Sequence, residues 1–465
     1  MRKMSKSHLC IAASVLALAV GVGVPAHAQE SSTALQAMQE QINTLQKQLA
    51  QIQAAQAKAE KATKVAAPKK AAPSNVVTVD DKGAFVLPGT GTTIKLGGFI
   101  KASVVHDLSA RPTLASTQDS TTTDGTSFNT IPTSADTGNL AGRRSNTTRF
   151  TARETRLNLT TKTPTSYGPF ETVIEMDFYG AGGTATATNS YNPRLRRAYG
   201  SFYGFLVGQE WTTFADLQTK PETFDVNGPA AQPAIRQPMI RYTHDFKDGN
   251  VLAVALENPE TDIGAAGATT PTTINNYPDM ILSWKYSSDW GHIAARALGR
   301  NLAIDSIPAA AKYEQNKWGY GLAASGKWKP FRAESGAFSK DNILFMVEGG
   351  RGIGRYLAEA ANLAAVTDAN TDMYLLNSWG GNVTYQHFWT DALRSSFVYG
   401  YAYTEQKSFM DANAQKSADS VHANLIWSPV PAFDVGLEYI WGHRVVHNNA
   451  QGYMNRLQAT AIYRF

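Results

Sequence analysis

The sequence predicts an all-β protein: a 16-stranded antiparallel transmembrane β-barrel, preceded by a short N-terminal coiled-coil helix. Three observations support this fold class. The chain of 465 residues opens with an export signal. Its larger part consists of segments of roughly ten residues that alternate apolar and polar side chains. The connections between these segments alternate long and short, as in outer-membrane barrels.

Residues 1–28 have the organisation of a secretory signal peptide. The segment begins with three basic residues, Arg2, Lys3 and Lys6, and continues with an apolar run over 9–24. A small-x-small sequence, Ala26-His27-Ala28, predicts cleavage after Ala28. A transmembrane anchor is the alternative, but the apolar run is too short to span a bilayer as a helix. The only cysteine, Cys10, lies in this segment, which excludes a disulfide scaffold.

The basic character of the chain has its origin outside the predicted barrel. The formal net charge is +5 and the pI is about 9.0. Removal of residues 1–28 lowers the net charge to +2, and residues 91–465 contain 33 basic and 33 acidic residues. A general nucleic-acid footprint is therefore excluded, because it requires a basic excess on the folded domain.

Residues 29–65 predict a periplasmic coiled-coil segment. Apolar residues recur with spacings of three and four, a heptad pattern that permits a trimer without requiring one. These residues are Leu35, Met38, Ile42, Leu45, Leu49 and Ile52. A solvated, frayed helix is the alternative, because isolated helices of this length are marginal. Residues 66–90 read as a Pro/Ala/Lys linker, since Pro68 and Pro73 stop a helix.

The barrel domain is predicted over 91–465. Phe433, Val435 and Leu437, for example, alternate with polar or small residues. The sixteen predicted strands are 92–105, 148–161, 169–179, 194–203, 205–215, 238–246, 250–258, 279–288, 291–300, 317–328, 341–350, 374–388, 392–405, 418–428, 433–443 and 453–465. An even number of strands places both ends of the barrel on the side of the short turns.

Aromatic residues near strand ends indicate the two interfaces of a membrane, with lipid and lipopolysaccharide as the outer surroundings. The tryptophans assigned to these girdles are Trp211, Trp284, Trp290, Trp328, Trp389, Trp427 and Trp441. The C-terminal Phe465, preceded by alternating apolar residues, resembles the signal by which bacterial outer-membrane barrels contact their assembly machinery. These features predict the outer membrane as the location, with the N-terminal segment in the periplasm.

Several local runs resemble the DcaP-like outer-membrane porins. They are TARETRLNLTTKTPTSYGPF, VIEMDFYG, RLRRAYGSFYGFLVGQEWTTFAD and PMIRYTHDF. The likeness covers essentially the whole chain and is most specific over 148–246. It implies a homotrimeric diffusion channel, and a path for small anions, dicarboxylates among them.

Strand alternation assigns charged side chains to the lumen. The basic pore-lining residues predicted on strands are Lys101, Arg156, Arg194, Arg196, Arg197, Arg241 and Arg296, and the predicted lumen acids are Glu175 and Asp177. Arg236 joins the basic set from the long loop after the fifth strand, as the resemblance implies. Alternation is ambiguous at Arg194, Arg196 and Arg197, so it predicts only that at least one of the three faces inward. Guanidinium groups suit carboxylates because they bind them in a bidentate manner.

The resemblance also implies that the long loop after the fifth strand folds into the barrel. This loop contains three acids, Asp216, Glu222 and Asp225. Acids opposite a basic wall would create a transverse field across the narrow part of the pore, which filters solutes by charge as well as size.

Other functions have weaker support in the sequence. The run 349–354 is Gly-rich but lacks the spacing of a dinucleotide loop, and His443 and His447 do not share a helical face as a metal pair would. No cofactor is indicated, and no GxSxG motif occurs. A barrel enzyme would need catalytic residues clustered at the rim. An adhesin or envelope tether, anchored by the barrel and joined through the coiled coil, is the alternative function.

Overall fold

The computed structural model describes residues 43–44, 47–48, 50–51, 78–79, 84–109, 125–134, 146–180, 188–189, 191–265, 271–306, 313–358, 363–370 and 372–465. The predicted signal peptide and the six heptad residues lie outside the described residues, as does most of the linker. The six described positions between 43 and 51 have helical backbone. None of the helices in the described part of the chain is long and apolar enough to cross a membrane.

Sixteen strands form one closed antiparallel barrel, as the sequence predicts. They are β1 (Thr93–Ser109), β2 (Thr147–Thr151 and Arg156–Thr163), β3 (Phe170–Asp177), β4 (Arg194–Phe202), β5 (Phe205–Trp211), β6 (Arg236–Asp245), β7 (Asn250–Glu257), β8 (Thr272–Ile274 and Asp279–Ser288), β9 (Gly291–Ser306), β10 (Tyr313–Trp328), β11 (Asn342–Arg351), β12 (Asn377–Phe388), β13 (Leu393–Thr404), β14 (Gln415–Val430), β15 (Phe433–Val446) and β16 (Gln451–Arg464).

The barrel closes between its last and first strands. β16 pairs antiparallel with β1, and Ala461 lies opposite Ala102. Closure satisfies the backbone of both strand edges, which a hydrocarbon surrounding requires. The short strands Thr78–Val79 and Phe85–Val86 extend the sheet beside the start of β1.

Alternating side chains sort onto two faces of the barrel wall. Leu157, Ile174 and Ile240 are 42%, 44% and 53% exposed on the outside. Their polar neighbours along the same strands turn inward, because successive strand residues point to opposite faces. The exterior is thus apolar and the lumen polar, the arrangement of a membrane barrel.

The wall departs from regular pairing where β2 is divided. Phe99 lies opposite Arg156 and Ser103 opposite Thr151, so residues 152–155 contain one residue more than the facing part of β1. The Thr155 hydroxyl accepts a hydrogen bond from the Lys101 backbone N–H at 3.3 Å. A bulge of this kind changes the direction of side chains, here those of Glu154 and Arg156.

The long-loop end of the barrel carries a second, small sheet. Ile263–Ala265 pairs in parallel with Ala365–Thr367, which pairs antiparallel with Met373–Leu375. β9 and β10 extend to Ser306 and Tyr313, beyond their predicted ends at 300 and 317. The reason is that Leu302 and Ile304 pack against this sheet in an apolar cluster.

Candidate functional site

Residues 212–235, which we call the inner loop, lie inside the barrel. The loop leaves β5 and forms a single 3-10 turn, Leu217–Thr219, capped by Asp216. The Asp216 Oδ2 atom accepts hydrogen bonds from His292 Nε2 at 2.8 Å and from Ser325 Oγ at 2.7 Å. These contacts tie the outgoing arm of the loop to β9 and β10.

The tip of the inner loop reaches the far side of the lumen. The Glu222 carboxylate accepts hydrogen bonds from Arg394 of β13 at 2.6 and 2.8 Å. The Phe224 N–H donates to Glu438 Oε2 of β15 at 2.6 Å, and its carbonyl accepts from Lys101 Nζ at 2.7 Å. The loop therefore spans the barrel interior from β5 to β15 and β1.

A second segment, residues 125–134, also packs within the barrel. The Thr126 N–H and hydroxyl both donate to the Asp225 carboxylate. Phe128 and Ile131 are buried with Ala230 of the inner loop and with Ala418, Ile440 and Met454 of the wall. Sequence reasoning missed this segment, although the apolar residues of FNTIP within a Thr/Ser/Asp-rich loop are a signal for it.

The three acids of the inner loop make their ion pairs and hydrogen bonds with residues outside β2–β6. Asp216 turns to His292 and Arg296, and Glu222 turns to Arg394. Asp225 bonds Thr126 and lies 3.8 Å from Arg456. These contacts anchor the inner loop to the barrel wall and to the segment 125–134. A transverse field between the loop acids and a basic wall stays a prediction.

Arginines of β4 lie on the lumen face of the wall formed by β2–β6. A bulge explains why strand alternation is ambiguous at these residues. The pairing shifts so that Glu175 lies opposite Arg197 while Met176 lies opposite Leu195. Leu195 is 52% exposed on the outside, whereas Arg196 is 3% exposed. Because the bulge adds one residue, Arg194, Arg196 and Arg197 all reach carboxylates of the barrel interior.

Most of these arginines are held by carboxylates on the neighbouring strands. Arg196 donates to Glu175 at 2.7 Å and to Asp177 at 2.6 Å. Arg194 also binds Asp177, at 2.7 and 2.9 Å. Arg197 donates to Glu210 of β5 at 2.6 and 2.8 Å. Glu210 was not predicted as a site residue, although strand alternation places it on the same face as Leu206.

Lys220 and Arg236 have no carboxylate partner among the described residues of the lumen. Among the described residues, no carboxylate oxygen lies within 4.0 Å of Lys220 Nζ or of the Arg236 guanidinium. Both lie against the Trp211 ring, at 5.6 and 4.6 Å from its centroid. The assignment of Trp211 to an outer aromatic girdle is therefore wrong. β5 ends at this residue and the chain turns inward, so strand alternation no longer fixes its direction.

A cavity of about 160 Å³ lies between β2, β4, β6 and the inner loop. Five cationic residues and one acid line it: Arg156, Arg194, Arg196, Lys220, Arg236 and Glu154. The acid, Glu154, forms an ion pair with Lys101. The inner loop contributes neutral residues to the opposite side, Val226, Asn227, Gln232, Pro233 and Ala234. The lining of this cavity is thus predominantly positive.

A second cavity of about 280 Å³ lies closer to the short-turn end. Arg241, Lys285 and Arg296 line it, together with Glu210 and Asp216. Trp211 lines both cavities. Arg236 and Arg241 lie five residues apart on β6, roughly 16 Å along a strand, so the basic lining continues in the direction of the barrel axis.

Burial and neighbouring charge shift the ionisation of the inner loop. Burial lowers the pKa of Lys220 to about 8, and the charges of Arg156, Arg196 and Arg236 add to this effect while Glu154 opposes it. Burial raises the pKa of Asp216, but the hydrogen bond from His292 and the charge of Arg296 outweigh it. The pKa of the Asp216 carboxyl therefore lies well below its usual range.

The DcaP outer-membrane channel of Acinetobacter baumannii superimposes with a TM-score of 0.68 at 21% identity, covering 84% of this chain and all of that chain. An anion-selective porin from Comamonas acidovorans (10% identity, 80% and 100% covered) and a Salmonella typhi OmpF complex with daunomycin (10%, 81% and 98%) each give a TM-score of 0.49, too low to carry an argument. No curated protein matches the chain.

The sequence also matches the model of a protein family over most of its length. The match covers residues 25–465, and therefore the whole of the barrel described above. The closed sixteen-stranded fold and the superposition on a DcaP channel agree with it. The chain belongs to the DcaP outer membrane protein family.

Proposed function

We propose that this protein is a passive outer-membrane diffusion channel for small hydrophilic solutes, with a preference for anions. The observation that carries the anion preference is the 160 Å³ cavity, which five cationic residues line against one acid. Charged rings and walls of this kind select ions by sign. The inner loop borders this cavity with Lys220 and neutral residues, whereas its acids bond groups elsewhere in the lumen.

Dicarboxylates are the proposed solute class within the anions. Lys220 and Arg236 border the cavity without a carboxylate partner among the described residues, so two cations are available to a solute with two carboxylates. The resemblance to the DcaP-like porins implies the same class. Sugars and cationic solutes of similar size are expected to pass more slowly, because the positive lining gives them no compensating attraction.

Planar-bilayer recording tests this function. Under a tenfold KCl gradient, we expect a reversal potential of the sign that shows chloride passing more readily than potassium. Added succinate should reduce the chloride current in a saturable way, whereas an uncharged sugar of similar size should not. A closed membrane, or preference for potassium, would refute the proposal.

We also infer that the channel is a homotrimer held in the outer membrane, with residues 1–28 removed and the coiled-coil segment in the periplasm. The support on the barrel is an apolar groove of about 1140 Å³ on the outer face of β16, β1 and β2. Small residues line it, Ala102, Ala459 and Ala461, beside the highly exposed Phe150. Lipopolysaccharide around the trimer, and assembly through Phe465, belong to the same proposal.

An engineered cysteine tests the trimer without interference. The one native cysteine, Cys10, lies in the predicted signal peptide. Ala461→Cys should give disulfide-linked species or dipolar spin coupling between copies in membranes. The same change at Ala297, on the outer face of β9, should give neither. Equal behaviour of both variants, or a monomer mass in mild detergent, would count against the trimer.

A further inference from the structure

The indole ring of Trp211 lies at the junction of the two lumen cavities and contacts three cations. The Arg236 guanidinium carbon is 4.6 Å from the ring centroid, the Lys220 ammonium 5.6 Å, and the Arg196 guanidinium carbon 5.9 Å. A cation within about 6 Å of an aromatic face is attracted by the negative charge density above the ring. Tryptophan provides the strongest attraction of this kind.

These three cations differ in how they are held. Arg196 has two carboxylate partners, Glu175 and Asp177. Lys220 and Arg236 have no carboxylate within 4.0 Å among the described residues, and Trp211 is the contact they share. The ring therefore takes the place that carboxylates occupy on the rest of this wall.

The partner that holds a cation in the lumen determines how strongly that cation attracts a solute anion. A carboxylate that holds a cation also cancels its charge, so a solute anion gains little from the pair. An aromatic ring holds a cation through its quadrupole and carries no net charge. Cations fixed by Trp211 thus keep their full attraction for a passing anion.

The cations of the cavity repel one another, so a group that attracts them without neutralising them is needed to keep them in place. Lys220 comes from the inner loop, and the charged groups that face it are Glu154 and Arg156 of β2, Arg196 of β4 and Arg236 of β6. The cations outnumber Glu154, which is already bonded to Lys101. Without a neutral attractor, these side chains would separate into the wider parts of the lumen.

We propose that Trp211 is a positioning residue for anion passage: its ring fixes Lys220 and Arg236 in the narrow cavity without neutralising them. The inference rests on the proposed function as an anion channel. It adds a residue whose role depends on π-electron density, so that an apolar side chain of similar bulk cannot replace it.

The test compares Trp211→Leu with Trp211→Phe in bilayers under a KCl gradient. Trp211→Leu retains an apolar but smaller side chain without the π face, and we expect the chloride-over-potassium permeability ratio to fall about two- to fivefold, the effect of a lost cation–π contact. Trp211→Phe should retain most of the ratio. In Trp211→Leu, the pH at which selectivity declines should also move below that of the wild type, because Lys220 loses an interaction that favours its charged form.

A double-variant experiment separates positioning from general damage to the barrel. In a Lys220→Gln/Arg236→Gln background, Trp211→Leu should change the permeability ratio no further. Equal ratios in the Leu and Phe variants, or a full additional loss in the double-Gln background, would overturn the role of Trp211. A wild-type channel without anion preference would instead refute the proposed function, and the two failures are therefore distinguishable.

Discussion

The two sides of the lumen use the same residue types in different ways. On the side of β9–β16, Asp216 and Glu222 of the inner loop bond wall residues, and Asp225 bonds Thr126 of the segment 125–134, so all three act as anchors. On the side of β2–β6, cations exceed the acids around a cavity, and two of them have an aromatic ring in place of a counter-ion. A barrel with balanced total charge can therefore have a positive passage, because pairing removes charges selectively from one side.

The strongest test of this comparison reverses the charges of Lys220 and Arg236, the two cations without a carboxylate partner among the described residues. In Lys220→Glu/Arg236→Glu, the cavity would contain three arginines against three acids, and its attraction for anions would be lost. We expect the permeability ratio to change by tenfold or more toward cations, since like charges at close range cost several kcal/mol. Reversal potentials measure it. Lys247→Glu, at an exposed short turn, is the matched control and should leave the ratio unchanged.

Removal of the anchor at the loop tip should open the lumen beside β15. Glu438 accepts hydrogen bonds from the Phe224 and Asp225 N–H groups and from Asn424, and it lies 3.1 Å from His422. Glu438→Ala leaves these donors unpaired in a buried place, at a cost of about 3–5 kcal/mol. We expect larger, noisier single-channel currents and a lower unfolding temperature.

Glu438→Gln retains an acceptor oxygen for the Phe224 N–H and should behave closer to the wild type. Identical current noise in Glu438→Ala and the wild type would show that the loop does not depend on this anchor.

Paired and unpaired arginines should respond differently to the same substitution. Arg196→Gln removes charged hydrogen bonds from Glu175 and Asp177 and should destabilise the barrel by about 1.5–3 kcal/mol. Arg236→Gln breaks no ion pair and loses only the contact with the Trp211 ring, so it should cost about 0.5–1 kcal/mol, yet it should lower anion selectivity more. Urea unfolding and reversal potentials on the same two variants decide the matter. Equal stability losses would remove the distinction between the two arginines.

The smallest predicted effect is a dependence on pH. The pKa of Lys220 lies at about 8, so its ammonium is charged below that value and neutral above it. Anion selectivity should therefore decline modestly as the pH rises from 7 to 9. The same depressed pKa means that the unfolded chain binds the extra proton between pH 8 and its ordinary value of 10.5, so the folded barrel gains stability over that range.

Lys220→Arg supplies the control for this pH effect, because a guanidinium stays charged throughout the range. Its selectivity should be flat from pH 7 to 9. A decline of equal size in Lys220→Arg and the wild type would assign the titration to another group.

The sequence by itself determined the number of strands, their faces and the side of each connection. The reason is that a membrane wall imposes a period of two on every strand, with lipid outside and water inside. Strand alternation predicts Arg296 and Glu175 on the inner face, and both side chains are buried in the structure. It failed at Trp211, where the strand ends, and it left Arg194, Arg196 and Arg197 open, since a bulge inserts one residue without a signal in the alternation.

Only the tertiary structure decided which charges remain available to a solute. Glu154 and Lys101 are both charged in the sequence, and only their proximity cancels them. Asp216, Glu222 and Asp225 bond partners that are 76, 172 and 99 residues distant in the sequence. The inner loop reaches these partners because it folds across the barrel. Periodicity is a local property of the chain, whereas pairing across a lumen depends on distances that no local pattern records.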